Sequence, residues 1–381
     1  MKTSKRSISK GKSMMAAAAI AIGLATVLPT AQAADSTAGQ DLFSGKPAGD
    51  SAFHFSDIQF LNATTGRAAG NGFLIGTSDS GSHWQSIYKG TWQFTQLDFI
   101  SNTTGWALAK SASNGPNALL YTTDGGSKFS KLPTGKLQLE RIQFIDKNNG
   151  FGYTKAFAYK TKDGGKSWAK IATPANTRYA EFVNDKQGWA LVILPGLGYN
   201  LSRTTDGGVT WTTSLHVKAD ELSGGKIVAD GTGVWAQFNG GAGMSQQSYS
   251  VYASGNNGAS WRKVISQSTA GGGNAPGEAK GLASQGPASP GGHPSDLELV
   301  GGTAILSAYS PAAHRIGIGR SSNAGQTWFA PSDTVGYANT ISFTSTYVGF
   351  MADTSLNSPA IYSTVDGGKT WYTKLEIPTK P

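Results

Sequence analysis

There is no cysteine among the 381 residues, which excludes disulfides, thiolate nucleophiles and cysteine-ligated zinc or iron–sulfur centres. Charge is scarce too. Asp, Glu, Lys and Arg make up 14% of the chain, too little for a coiled coil or a charge-rich disordered protein. The five histidines (His54, His83, His216, His293 and His314) stand far apart, with no HExxH and no pair at metal-ligand spacing. No GxSxG elbow, phosphate loop or dinucleotide fingerprint occurs, so neither a metal nor a cofactor is expected. What is abundant is glycine, with 51, and aromatics, with 10 Trp, 13 Tyr and 16 Phe. That balance favours short strands joined by tight turns, an all-β protein.

The N-terminus belongs to targeting. Lys2, Lys5, Arg6, Lys10 and Lys12 precede an apolar stretch from Met14 to Leu28, and Ala31-Gln32-Ala33 supplies small residues for cleavage. This is the pattern of a secretory signal peptide over 1–33, and the apolar run is short for a bilayer span. Cleavage would remove five of the 32 basic residues, leaving 27 against 23 acidic ones, a net charge of +4 rather than +9. So modest an excess argues against nucleic acid as a partner. The mature chain is expected outside the cytoplasm, secreted or in the cell envelope, without a transmembrane span and as a monomer.

An octapeptide recurs through the remainder: TSDSGSHW at 77–84, TTDGGSKF at 122–129, TKDGGKSW at 161–168 and TTDGGVTW at 204–211. Then come SGNNGASW at 254–261, SSNAGQTW at 321–328 and TVDGGKTW at 364–371. The third positions (Asp79, Asp124, Asp163, Asp206, Asn256, Asn323 and Asp366) are separated by 45, 39, 43, 50, 67 and 43 residues. Each interval is about the length of a four-stranded propeller blade. An Asp or Asn side chain can accept from backbone N–H groups ahead of it and close a turn, while glycine tolerates the reversal. With one carboxylate per octapeptide, a structural turn fits better than a calcium loop.

A second element precedes most copies, a strand, a turn and a Gly-aromatic pair opening the next strand: LDFISNTTGWALA (97–109), IQFIDKNNGFGYT (142–154), AEFVNDKQGWALV (180–192) and ISFTSTYVGFMAD (341–353). In IQFLNATTGRAAG (58–70), Arg67 takes the aromatic place. The expectation is a single seven-bladed β-propeller over 53–381, of four-stranded antiparallel blades, preceded by a flexible leader at 34–52. A Gly/Pro/Ser-rich insertion at 267–295, with eight glycines, four prolines and no aromatic residue, is expected to be loose.

The octapeptides resemble the BNR or Asp-box repeat, Ser/Thr-x-Asp-x-Gly-x-Thr-Trp. Together with the Gly-aromatic element they are most similar to the photosystem II stability and assembly factor family, over about residues 53–377. Sialidases, xyloglucanases and sortilin-type receptors carry the repeat as well. The resemblance implies a non-enzymatic binding or assembly scaffold that engages a protein or glycan partner. The enzymatic alternative is a glycosidase, which needs two carboxyl groups, or a tyrosine nucleophile with an arginine triad. The sialidase Phe/Tyr-Arg-Ile-Pro signature is absent; the nearest string is His314-Arg315-Ile316-Gly317.

Two residue sets are candidates for function. The first strands of the repeats alternate polar residues on one face: Asp57/Gln59, Gln96/Asp98, Arg141/Gln143, Tyr179/Glu181, Asp296/Glu298 and Thr340/Ser342. They line either a wet structural channel or a ligand-binding mouth, and the glycosidase reading would draw its carboxyls from Asp98, Glu181 and Glu298. The face opposite the octapeptides gathers aromatics and arginines of the kind enriched in interface hot spots. The binding set is Trp92, Arg141, Arg178, Tyr179, Tyr199, Arg315 and Tyr337.

Overall fold

The computed structural model describes residues 42–44, 46–49, 52–231, 233–277, 292–330 and 333–378. The expected signal segment lies outside the described residues. Among the described residues twenty-six strands form six antiparallel sheets, and strand order in each follows the chain. The first sheet has six strands: Phe55–Phe60, Gly66–Thr77, Gln85–Phe99, Gly105–Lys110, Ala118–Thr122 and Ser130–Lys131 (β1–β6). The second contains Arg141–Phe144, Gly150–Tyr153, Ala158–Thr161 and Ala169–Ile171 (β7–β10), the third Thr177–Phe182, Gly188–Leu194, Gly198–Thr204 and Thr212–Val217 (β11–β14). The fourth is Gly225–Asp230, Gly233–Ala242, Gln247–Ser254 and Arg262–Gln267 (β15–β18). His293–Val300, Thr303–Ser310, Arg315–Ser321 and Thr334–Val335 (β19–β22) make the fifth, and Asn339–Phe343, Gly349–Asp353, Ala360–Thr364 and Tyr372–Glu376 (β23–β26) the sixth.

This corrects the expected blade count: the propeller has six sheets, not seven. The difference lies in β3. It runs from Gln85 to Phe99 without a break, pairing with β2 up to Gln93 and with β4 from Gln93 onward. Its middle, Lys89-Gly90-Thr91-Trp92, has no proline to end the strand, so two octapeptide copies share one sheet.

The seams between sheets explain the sequence pattern. Phe144 of β7 stacks on Trp106 of β4 with centroids 3.7 Å apart, and Phe182 of β11 stacks on Phe151 of β8 at 5.0 Å. The tryptophan closing the octapeptide meets the same phenylalanine edge-on, as Trp168 does Phe144 and Trp211 does Phe182. The glycine before each inner aromatic is sterically required: a Cβ on Gly105 would sit 2.4 Å from the Phe99 ring. In the fourth and fifth sheets the phenylalanine is missing, and Trp261 and Trp328 reach across to Trp189 and Trp235 instead.

Ring closure follows the same rule. Phe60 of β1 stacks on Phe350 of β24, and the Phe60 N–H donates to Ser342 Oγ at 2.9 Å. Phe55, Ile58, Ala352, Ile361 and Ile377 share one buried cluster across that seam. Among the described residues no strand is exchanged between the first and last sheets.

Of the expected leader at 34–52, only residues 42–44, 46–49 and 52 are described. Leu42 is buried in the closing cluster, and Phe43 packs edge-on against Phe55 and Phe73. The described ends of the insertion are ordered as well. Thr269 and Gly273 exchange backbone hydrogen bonds, and Gly277 N–H donates to Lys218 O; residues 278–291 lie outside the description. No helix among the described residues is long and apolar enough to cross a membrane.

Candidate binding site on the loop face

One end of the propeller carries the octapeptide turns; the other carries the loops after the second and fourth strands. At the octapeptide end the conserved geometry is internal to each turn. Thr204 Oγ1 donates to Asp206 Oδ1 at 2.7 Å, and the Thr210 N–H and hydroxyl both donate to the same carboxylate. Asp163 and Asp366 repeat this, Asp79 and Asp124 accept the equivalent N–H groups of His83 and Lys128, and Asn256 and Asn323 those of Ser260 and Thr327. These bonds favour the ionised form and lower Asp163 and Asp206 to about 2. The side-chain oxygens are occupied by their own turns.

The channel carboxyls tie innermost strands together, within the first sheet for Asp57 and between sheets for the others. Asp57 Oδ2 accepts the Leu97 N–H at 2.6 Å and Asp98 Oδ2 the Phe144 N–H at 2.6 Å. Asp296 Oδ2 accepts Ile341 N–H, and Glu298 Oε2 accepts Phe343 N–H at 3.0 Å. Gln59 and Gln96 make the same link through both amide atoms, to Phe99 and Ile142. Each side chain therefore bolts its strand to the backbone of the next innermost strand. Burial pushes Asp57 and Asp98 up to about 7 and Glu298 up to about 8. Burial would raise Asp296, but Lys226 Nζ, 2.5 Å away, together with hydrogen bonds from Thr340 and Ile341 holds it below its usual range.

One seam is built differently. Between β7 and β11, Arg141 Nη1 donates to Glu181 Oε2 at 2.7 Å and Nη2 to Ala180 O. Its guanidinium lies 3.8 Å from the Tyr153 ring centroid and 4.4 Å from that of Tyr179. Burial alone would lower the Arg141 pKa, but Tyr179 and Glu181 raise it, so the cation is retained. Tyr153 completes the seam by accepting the Phe182 N–H at 3.1 Å.

Above this arginine a cavity of about 200 Å³ opens on the loop face. Arg141, Tyr153, Phe157, Arg178 and Tyr179 line it, with Lys155 and Glu140 at its edge. Phe157 is 42% exposed, and Lys170 Nζ sits 3.3 Å from its ring centroid. The cavity thus offers cations and aromatic faces together, a surface suited to a carboxylate beside an apolar or aromatic group.

Of the residues selected by sequence, Arg141, Arg178 and Tyr179 come together here. The other four do not join them. Trp92 is half-buried against the core of the first sheet. Tyr199 is fully buried, with its hydroxyl bonded to Asn239 O, so this strand-start aromatic is packing rather than contact surface. Arg315 pairs with Asp333 at 3.3 Å, and Tyr337 packs on His314, with centroids 4.6 Å apart, between the fifth and sixth sheets. Asp98, Glu181 and Glu298 do not line the cavity; each is engaged across a seam. Tyr153 and Phe157 were missed. The only signal was an aromatic at each end of the short Thr154–Ala156 loop.

No protein-family model matches the sequence, and no curated protein matches it. Solved structures do. YCF48 from Cyanidioschyzon merolae is 17% identical over 83% of this chain and 94% of its own, with a TM-score of 0.51. A structure from an analysis of two prolyl endopeptidases is 11% identical over 84% of this chain and 49% of its own, with a TM-score of 0.55. YCF48 bound to D1 peptide aligns over 85% and 94%, at 18% identity and a TM-score of 0.49. At such identities the first two show a shared β-propeller fold.

Proposed function

We propose that this propeller is a binding scaffold that engages a protein segment at the loop-face cavity, in the manner of an assembly factor and outside the cytoplasm. The observation that carries the reading is Arg141. Held by Glu181 and flanked by two tyrosine rings, it forms the floor of a cavity whose rim adds Arg178, Lys155 and Phe157. A rigid floor lowers the ordering cost of binding, and aromatic and arginine anchors supply most of the affinity at such surfaces. The fitting ligand is an extended segment with a carboxylate next to an apolar side chain. The octapeptides at the other end support an Asp-box assignment, and the pattern of residues 2–33 supports export.

The test is capture from an envelope fraction, followed by affinity measurement with the captured segment as a synthetic peptide. Arg178→Ala and Phe157→Ala each weaken binding about tenfold, which corresponds to about 1.4 kcal/mol, at unchanged thermal stability. Affinity indifferent to both substitutions would sink the proposal. Turnover of a fluorogenic glycoside that disappears in Asp98→Asn or Glu298→Gln would replace it with the glycosidase reading.

A further inference from the structure

The octapeptide end carries a surface that the repeats themselves mark as unusual. In four copies, one N–H of the octapeptide turn donates to the carbonyl of a polar residue in the preceding turn. The pairs are Ser80 to Thr64, Gly125 to Thr103, Gly164 to Asn148 and Gly207 to Lys186. In the last copy the same bond runs from Gly367 to Tyr347, at 2.8 Å. The bond fixes the equivalence, so Tyr347 occupies a place that is Thr, Thr, Asn and Lys elsewhere. The second octapeptide position is Ser78, Thr123, Lys162 and Thr205 in those copies, but Val365 in the last. The residue after the closing aromatic is Gln85, Ser130, Ala169 and Thr212, but Phe329 in the sixth copy. The backbone needs none of these exchanges, and all three side chains are exposed: Tyr347 58%, Val365 67% and Phe329 46%.

The two aromatics each lie against a cation. Arg320 exchanges both backbone hydrogen bonds with Phe329, and its guanidinium lies 4.9 Å from the Tyr347 ring centroid and against Gly367. Lys369 Nζ lies 5.5 Å from the Phe329 ring centroid. Among the described residues neither cation forms an ion pair, and Arg320 Nε has no hydrogen-bond partner. The nearest carboxylate in sequence, Asp366, is committed to Thr364 and Thr370 of its own turn. Exposed apolar groups around unpaired cations leave both the hydrophobic and the electrostatic complement unfilled.

We infer that Arg320, Phe329, Tyr347, Val365 and Lys369 form a second protein-docking surface, at the end opposite the cavity, that takes a segment alternating acidic and apolar side chains. Carboxylates of the segment would meet Arg320 and Lys369, and its apolar groups would cover Tyr347, Val365 and Phe329. The propeller would then be an adaptor with two independent ends.

The experiment uses the mature chain and three fluorescein-labelled twelve-residue peptides, alternating Glu with Leu, Lys with Leu, and Glu with Ser, read by fluorescence anisotropy. The Glu/Leu peptide binds; the other two bind at least about tenfold more weakly. Tyr347→Thr combined with Val365→Ser, which installs residues that other copies carry, weakens Glu/Leu binding about tenfold at unchanged melting temperature, as does Lys369→Gln. All titrations use the Arg178→Ala/Phe157→Ala background, so that the cavity, which also takes a carboxylate beside an apolar group, does not contribute. Equal binding of the Lys/Leu peptide, or Glu/Leu binding insensitive to these substitutions, overturns the inference. So does a dimer in sedimentation, or capture by phosphatidylglycerol vesicles, that the double substitution abolishes.

Discussion

Two seams of the same ring solve the same problem by different means. Between the fifth and sixth sheets, Asp296 and Glu298 reach across and accept backbone N–H groups, so the innermost strands sit close together. Between the second and third sheets no carboxyl makes that link. Arg141 fills the gap between Tyr153 and Tyr179, and the wider seam leaves a cavity above it. In the one seam carboxylates accept the neighbour's N–H groups; in the other Arg141 and Tyr153 reach Ala180 O and the Phe182 N–H from between aromatic rings, and a cavity stays open above them.

The largest expected effect breaks the open seam. Arg141→Ala strands the half-buried Glu181 carboxylate and should cost about 3 kcal/mol in denaturant unfolding. Substituting Glu181→Ala as well should recover part of that loss. If Arg141→Ala is nearly silent, the pair does not hold the seam.

Next in size, the bolted seams should show themselves in pH dependence. Asp57 and Asp98 rise from 3.8 unfolded to about 7 folded, and Glu298 from 4.5 to about 8. Their native forms bind more protons than the unfolded chain, so their contribution to stability is complete below the unfolded values. It is lost as pH rises through about 7 and 8. The octapeptide carboxylates act in the opposite sense: Asp163 and Asp206, lowered to about 2, stabilise above 3.8 and lose that contribution as pH falls toward 2. Melting temperature should therefore decline from mildly acid to alkaline pH, and Asp98→Asn should flatten the decline. An unchanged slope in that variant would remove Asp98 from the account.

A smaller effect lies outside both seams. Asp163→Ala should cost about 1 kcal/mol, as loss of a turn cap does, with no change in ligand affinity. Smallest is Arg178→Ala, expected within about 0.5 kcal/mol in stability because the side chain is exposed. Its effect belongs to binding alone.

What could be read in advance divides along the same line. The octapeptide turns were legible because each closes on itself within a few residues, as Thr204, Asp206 and Thr210 show. The alternation of polar side chains on the innermost strands was legible for the same reason. Their partners were not, since Asp98 finds Phe144 and Arg141 finds Glu181 some 40 residues away. Blade number was misjudged because a strand that continues from one repeat into the next, as β3 does, leaves no breaker in the sequence. Tyr199 was misjudged because an aromatic beside a loop looks alike whether it faces solvent or, as here, the backbone of the neighbouring sheet.

Closure without an exchanged strand among the described residues has a topological consequence. Phe55 and Ile377, near the two ends of the described propeller, lie in one cluster, and the junction between first and last sheets is chemically like the interior ones. The position of the chain's ends is then incidental to the architecture. A circular permutant joining residue 378 to residue 53 through a short linker, and opened in the loop after Ile171, should fold to the same ring. A protein fastened by an exchanged strand would not tolerate that cut so readily.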